Sequence, residues 1–363
     1  MKLRKIKLNF DWTIVVIPVL LSIAGLSAVY SITSIAGKSD QFFSQILFIV
    51  LSIFIYIFFS ILDYNELKHY KWYIYAVVVT LIFAVDFLGQ EILGSRRWIN
   101  IGFTQIQPSE MMKFAFLILS AGLISQNERL SIKKTLFILF FAIVPIFLVL
   151  KQPDLGTALT LSSIVIAVLV AGRAPKSFYF VAIGLLILIS PIVFQQLKPY
   201  QKQRVATFLN PASDPLGSGY NVTQSKIAVG SGGLYGRGFG EATQSQLQFL
   251  PVAQIDFIFS GWAEMTGFVG SILMVLAYTI LIWRIFSISG VSKDTFGEVF
   301  CIGAATMIFF QSFVNIGMNI GVMPVTGIPL PFVSYGGTSI ATTAAILGVV
   351  QGIYLRRKTL KFE

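Results

Sequence analysis

The chain has 363 residues, 55% of them hydrophobic and only 12% charged, with a net charge of +11. Soluble domains carry about 25% charged residues, so the composition points to an integral membrane protein. One cysteine, Cys301, and one histidine, His69, argue against a disulfide framework, a Cys- or His-rich metal site, a Ser-His-Asp triad and a Cys-His pair.

Apolar runs of about 20 residues are each long enough to span a bilayer core of ~30 Å. They predict an all-α polytopic bundle of ten helices, at 12–32, 41–62, 72–88, 108–125, 135–150, 155–171, 177–195, 256–284, 297–320 and 335–355. A large loop, 196–255, separates helices seven and eight. The first apolar segment is too long for the core of a signal peptide, and no small-residue cleavage site follows it. With the N-terminus inside, seventeen Lys and Arg lie in the inner loops and tails against four in the short outer loops. That bias makes both termini cytoplasmic and the long loop extracytoplasmic. The net positive charge then needs only anionic inner-leaflet lipid as a partner. Nothing beyond ordinary basic loops suggests nucleic acid.

The unusual residues collect where helices begin. The outer loop 89–106 carries Arg96-Arg97-Trp98, which either holds phosphate and stacks on a sugar or anchors at the interface. Helix four opens with Gln107-Pro108-Ser109-Glu110, and Lys113 follows one turn later. Glu110 and Lys113 are spaced as an ion pair. Helix six opens with Gln152-Pro153-Asp154, where Asp154 complements the helix dipole. Helix ten opens near Ser334-Tyr335-Gly336-Gly337. These starts share one face of the membrane, and several helix N-termini together suit a phosphate.

The longest polar break contains the run 230–240, six of whose eleven residues are glycine, followed by Thr243-Gln244-Ser245-Gln246 and then Asp256. Glycine lets a backbone approach a ligand closely, so this run is expected beside Asp256, the carboxylate that opens helix eight. Asp256, Ser260, Glu264, Gly267 and Ser271 form one polar stripe on that helix. Glu264 reads as a buried group paired with a cation such as Lys113. Gly297, Gly303, Ala304 and Ala305 on helix nine would let a partner helix approach.

The stretches Arg204-Val205 through Asn210-Pro211, Asp214 through Asn221, Gln224-Ser225-Lys226 through Gly233, Thr243 through Pro251 and Pro329 through Ser339 closely resemble the SEDS family. That family contains RodA, FtsW and SpoVE, and the wording is most similar to its RodA-like members. The chain reads Pro251-Val252-Ala253-Gln254-Ile255-Asp256, without the Glu and His usual before this aspartate.

The resemblance implies a ten-helix peptidoglycan glycosyltransferase of the bacterial cytoplasmic membrane. It would polymerise lipid II at the outer face, with inversion, during elongation, beside a class B penicillin-binding protein that is a single-pass transpeptidase. Its essential aspartate matches Asp256. The expected substrate-binding set is Arg97, Trp98, Glu110, Lys113, Asp154, Arg204, Lys226, Gln244, Ser245 and Ser334. Its substrates would be lipid II and a polyprenyl-pyrophosphate-linked glycan. Asp256 acts either as general base or as ligand to a divalent cation, Mg or Mn. The rival reading, a lipid II flippase, would place ionisable groups near the midplane.

Overall fold

The computed structural model describes residues 10–35, 39–92, 95–102, 104–126, 129–180, 184, 199–210, 214, 217–246, 249–250 and 253–357. In chain order the helices are α1 (Thr13–Ile35), α2 (Ser39–Ile61), α3 (Tyr64–His69), α4 (Lys71–Leu88), α5 (Pro108–Ile124), α6 (Ile132–Lys151), α7 (Leu155–Ala171), α8 (Pro199–Leu209), α9 (Ser218–Ser231), α10 (Thr243–Gln246), α11 (Ile258–Gly290), α12 (Thr295–Asn319) and α13 (Gly337–Leu355). Nine of the ten expected spans are present as helices, and the span at 177–195 lies largely outside the described residues. By length and composition, seven described helices can cross a membrane.

The local reasons are ordinary ones. Pro108 sits in the first turn of α5, where its missing N–H is not needed. The side chains of Ser131, Asp154 and Asp294 accept from backbone N–H groups at the starts of α6, α7 and α12. Helices α5, α12 and α13 are the core: nearly every side chain of α5 is buried. Helices α2, α4 and α6 instead expose Phe54, Phe58, Phe87, Phe140 and Phe147, as faces turned to lipid do. Residues near both ends of the chain meet: Arg284 of α11 pairs with Asp11 at 2.5 Å and lies over Tyr354.

The outer loop before α5 contains a small antiparallel sheet. Strands β1 (Gln90–Ile92), β2 (Ser95–Asn100) and β3 (Gln105–Ile106) pair in the order β1-β2-β3. It hydrogen-bonds β3 to the chain that enters α5 and α13, through Thr338.

The glycine run is not where the sequence placed it. Helix α11 has 33 residues, and Gly267 inside it has a φ of 68° that breaks the helix. In lipid the backbone groups freed by such a break must find partners within the protein. The run supplies them. Arg237 and Gly238 N–H donate to the carbonyls of Glu264 and Met265, while the Gly233 and Leu234 carbonyls accept from Phe268 and Val269. A Cβ at Gly236 would lie 2.1 Å from the Met265 carbonyl, and one at Gly232 2.1 Å from that of Ala263. The glycines therefore allow backbone to approach backbone, about two helical turns beyond Asp256, and do not line a cradle at that carboxylate.

The small residues of α12 are also turned inward. Gly303 faces Leu117 and Val168, and Ala304 and Ala305 are buried, so they pack the bundle and leave no seat for a partner helix.

Gly267→Ala is expected to destabilise the protein by about 2–4 kcal/mol, from left-handed strain plus overpacking. Gly230→Ala, whose methyl meets nothing within 4 Å, is expected to be neutral or stabilising by up to ~1 kcal/mol. Thermal melting in detergent compares them, and equal melting temperatures would contradict this account of the kink.

Candidate active site

Asp256 lies in the turn 253–257, just before α11 rather than in its first turn. Its backbone is fixed from three sides. Asn315 and Asn319 of α12 each donate from Nδ2 to the Asp256 carbonyl at 3.1 Å. Asn319 Oδ1 accepts from the Ser260 N–H at 3.0 Å, and Ser225 donates to the Asn319 carbonyl. From the loop between α12 and α13, Ser334 donates to the Ile255 carbonyl at 2.6 Å, and the Tyr335 N–H donates to Gln254.

The Asp256 carboxylate itself makes no side-chain hydrogen bond among the described residues. It is partly exposed. Gly327, with a φ of 73°, brings its α-carbon so close that a Cβ there would be 3.6 Å from Oδ2. Burial raises the Asp256 pKa from 3.8 to about 6. The guanidinium groups of Arg204 and Arg97 pull it down, and the Asp154 carboxylate pushes it up. The carboxylate is therefore not alone, but its neighbour is committed elsewhere. Asp154 accepts from Gln107 Nε2, Ser109 Oγ, and the N–H and hydroxyl of Thr157.

The helix starts singled out in the sequence do converge. Arg97, carried by β2, donates to the carbonyls of Gln152 and Pro153 and lies 3.9 Å from Asp154. Gln107 N–H donates to Thr338 at the start of α13. Gly156 of α7 is so close to the Thr326 and Gly327 carbonyls that a Cβ would clash with them. The beginnings of α5, α7, α11 and α13 thus surround one recess. Arg97 and the half-buried Trp98 border it, the guanidinium lying 6.0 Å from the Trp98 ring centroid. Lys226 of α9 is exposed, with its aliphatic stem against Gly321.

Four expected contacts are differently employed. Lys113 and Glu110 are fully buried and paired at 2.6 Å, so Lys113 offers no open ammonium and does not reach Glu264. Glu264 instead binds the start of α10: Oε1 accepts from Gln244 N–H at 2.9 Å, and Oε2 from the Ser245 N–H and hydroxyl. Ser245 is thereby consumed. Ser334 is buried, and its hydroxyl both donates to Ile255 and accepts from Leu330 N–H. Such buried polar groups set geometry and do not face a ligand.

Asn315 and Asn319 were not singled out from the sequence. The signal was there: two amides four residues apart on an otherwise apolar helix must find polar partners inside the bundle. Asn319→Ala is expected to cost about 1–3 kcal/mol by leaving the Ser260 N–H without its partner and stripping a donor from Asp256. Thermal melting checks it, and an unchanged melting temperature would mean that the network does not fix this turn.

Comparison with known proteins agrees with the architecture. Residues 8–359 match the FTSW_RODA_SPOVE family, described as cell cycle proteins. The peptidoglycan glycosyltransferase MrdB of Escherichia coli K12 is 41% identical over 79% of this chain and 78% of its own length. Stage V sporulation protein E of Bacillus subtilis is 34% identical over 96% of this chain and 97% of its own. Among solved structures, a chain described under the structural coordination of polymerization and crosslinking by a peptidoglycan synthase complex superposes with a TM-score of 0.81, at 29% identity, covering 96% of this chain and 98% of its own. The rod shape determining protein RodA of Thermus thermophilus gives 0.73, at 26% identity, covering 97% and 99%. The chain belongs to the FtsW/RodA/SpoVE family of bacterial membrane proteins.

Proposed function

We propose that this protein is a peptidoglycan glycosyltransferase that polymerises lipid II into β-1,4 glycan at the outer face of the bacterial cytoplasmic membrane, in cell elongation. The observation that carries the reading is the uncommitted Asp256 carboxylate, flanked by Arg97 and Arg204 where four helix starts converge. The names borne by the relatives support the same reaction class.

In the reaction, the 4-hydroxyl of GlcNAc on an incoming lipid II attacks C1 of the MurNAc that ends the growing chain. The O4–C1 bond forms as the C1–pyrophosphate bond breaks, with inversion. Asp256 takes the hydroxyl proton, and polyprenyl pyrophosphate leaves. A carboxylate with a pKa near 6 is ionised at neutral pH yet more basic than an ordinary aspartate, as a general base requires. Arg97, anchored by the Gln152 and Pro153 carbonyls, and Arg204 would offset the charge on the leaving pyrophosphate, with Trp98 and Lys226 as further contacts. Asp154 and Ser334 would support the recess, while Glu110, Lys113 and Ser245 are tied to other partners. A divalent cation sharing the pyrophosphate would meet the Asp256 carboxylate; among the described residues no group of three or more His, Cys, Asp or Glu is arranged to hold one by itself.

The alternative, a flippase, draws its support from buried ionisable groups within the bundle. Here those groups are Glu110 with Lys113 and Glu264 with the start of α10, each already satisfied. The free carboxylate is at a helix end, which favours chemistry over transport.

Cross-linking would fall to a partner, a class B penicillin-binding protein; a solved relative described under a complex that coordinates polymerization and crosslinking supports this. Its single helix would lie on the exposed faces of α11 and α12, where Phe268, Leu273, Leu276, Phe309 and Phe313 point outward. Purified wild type should polymerise lipid II, and faster with that partner. Asp256→Asn should lose at least ~10²-fold with or without it. A folded mutant that keeps more than about a tenth of the rate contradicts the role of Asp256.

A further inference from the structure

Helices α1, α2 and α13 leave a cavity of about 370 Å³ between them. Trp12, Val19, Ile23, Ile53, Tyr56 and Phe332 are among its walls. The lining is almost wholly apolar. Two of its hydroxyls are spent elsewhere: Ser52 donates to the Ile49 carbonyl and Tyr56 to Gln351. The few remaining polar groups, the Ser22 hydroxyl and the Trp12 indole N–H, leave the lining overwhelmingly apolar. Val19, Ile23 and Ile53 at the rim are 44%, 57% and 45% exposed, on helices long and apolar enough to cross a membrane. What meets that rim is bilayer hydrocarbon.

The cavity has a direction. Its inner end is Phe332, next to Val333, whose backbone touches α1 at Gly25. Its mouth is at Trp12, just before α1 and thirteen residues from Gly25, which is about 20 Å at 1.5 Å per residue. That length is comparable to one leaflet of a ~30 Å core. The mouth also carries charge. Asp11, beside Trp12, pairs with Arg284, and Arg284 and Arg357 both lie over the Tyr354 ring, at 5.5 and 3.8 Å. Two guanidinium groups against one carboxylate leave a net positive mouth, suited to an anionic headgroup.

The inner end bears on the site already described. Phe332 is a buried, bulky residue with a φ of 65°, a conformation that persists only where the surroundings fix it. It lies within the segment 330–334, in which Leu330 N–H donates to Ser334 and Ser334 donates to Ile255 beside Asp256.

We propose that an acyl chain of an anionic phospholipid occupies this groove, with its phosphate facing Arg284 and Arg357, and that it braces the 330–334 segment behind Asp256. A polyprenyl-linked substrate is a poor occupant, because its pyrophosphate belongs at the opposite end, beside Asp256. The bracing part rests on the glycosyltransferase reading; the binding part does not, and is measured without turnover.

The protein is reconstituted in phosphatidylcholine vesicles doped with phosphatidylglycerol bearing a photoactivatable group on its acyl chain. After irradiation, labelled peptides are located by mass spectrometry. Labelling should concentrate severalfold on the groove faces of α1 and α2 and on the peptide holding Phe332, relative to the exposed faces of α4 and α6. Ser22→Trp, or Val19→Trp if the first does not fold, should remove that excess. Arg357→Gln should abolish the preference over a phosphatidylcholine probe. Even labelling over all lipid-facing helices overturns the proposal. So does equal labelling by both phospholipid probes in wild type, or labelling of the groove by a polyprenyl phosphate probe alone. A polymerisation rate that phosphatidylglycerol leaves unchanged overturns the bracing.

Discussion

A backbone carbonyl or N–H inside a bilayer has no water to turn to, and two stretches of main chain, one within α11 and one just before it, depend on neighbouring segments for their partners. One is the Gly267 break in α11, sealed by the glycine run through four backbone hydrogen bonds. The other is the turn before α11, where Asn315, Asn319 and Ser334 reach across to the carbonyls of Ile255 and Asp256. Both devices spend neutral polar groups of neighbouring segments on main chain. The second has a consequence for chemistry. It holds the Asp256 backbone rigidly while leaving the carboxylate unspent.

That division of labour explains the electrostatics of the recess. Most polar side chains around it are occupied: Asp154 with four donors, Lys113 with Glu110, Glu264 with the start of α10. A carboxylate that is crowded but not hydrogen-bonded loses solvation without gaining partners, so its pKa rises. Arg204 and Arg97 offset part of that rise and keep the group ionisable near neutrality. A preorganised site of this kind needs little rearrangement as charge develops on a leaving pyrophosphate.

Much of this was legible in the sequence, for identifiable reasons. Runs of about 20 apolar residues mark spans by length alone, so eight of the nine helices found have ends within three residues of expectation, while α11 runs six residues past the expected 284. Pro108 and Asp154 announce helix starts by well-defined local chemistry. The glycine run was misassigned because glycine permits close approach without saying to what; a ligand and the backbone of α11 leave the same trace in sequence. Ser245 looks available in a polar loop, yet Glu264, nineteen residues on, claims its hydroxyl, whereas of Gln244 it takes only the backbone N–H. The strands of 90–106 are too short, and too mixed in polarity, for a period-two pattern to show. The phenyl ring of Phe332 reads as one more apolar residue, and only its φ of 65° sets it apart.

The central claim is that one aspartate, raised in pKa by its surroundings and fixed by its backbone, takes the proton in glycosyl transfer. The initial rate of lipid II polymerisation as a function of pH, at subsaturating substrate, tests it most directly. Because the base must be ionised, kcat/KM should rise tenfold per pH unit on the acid side and level off above about 6. A rate already level down to about pH 4, the range of an ordinary aspartate, would contradict the account.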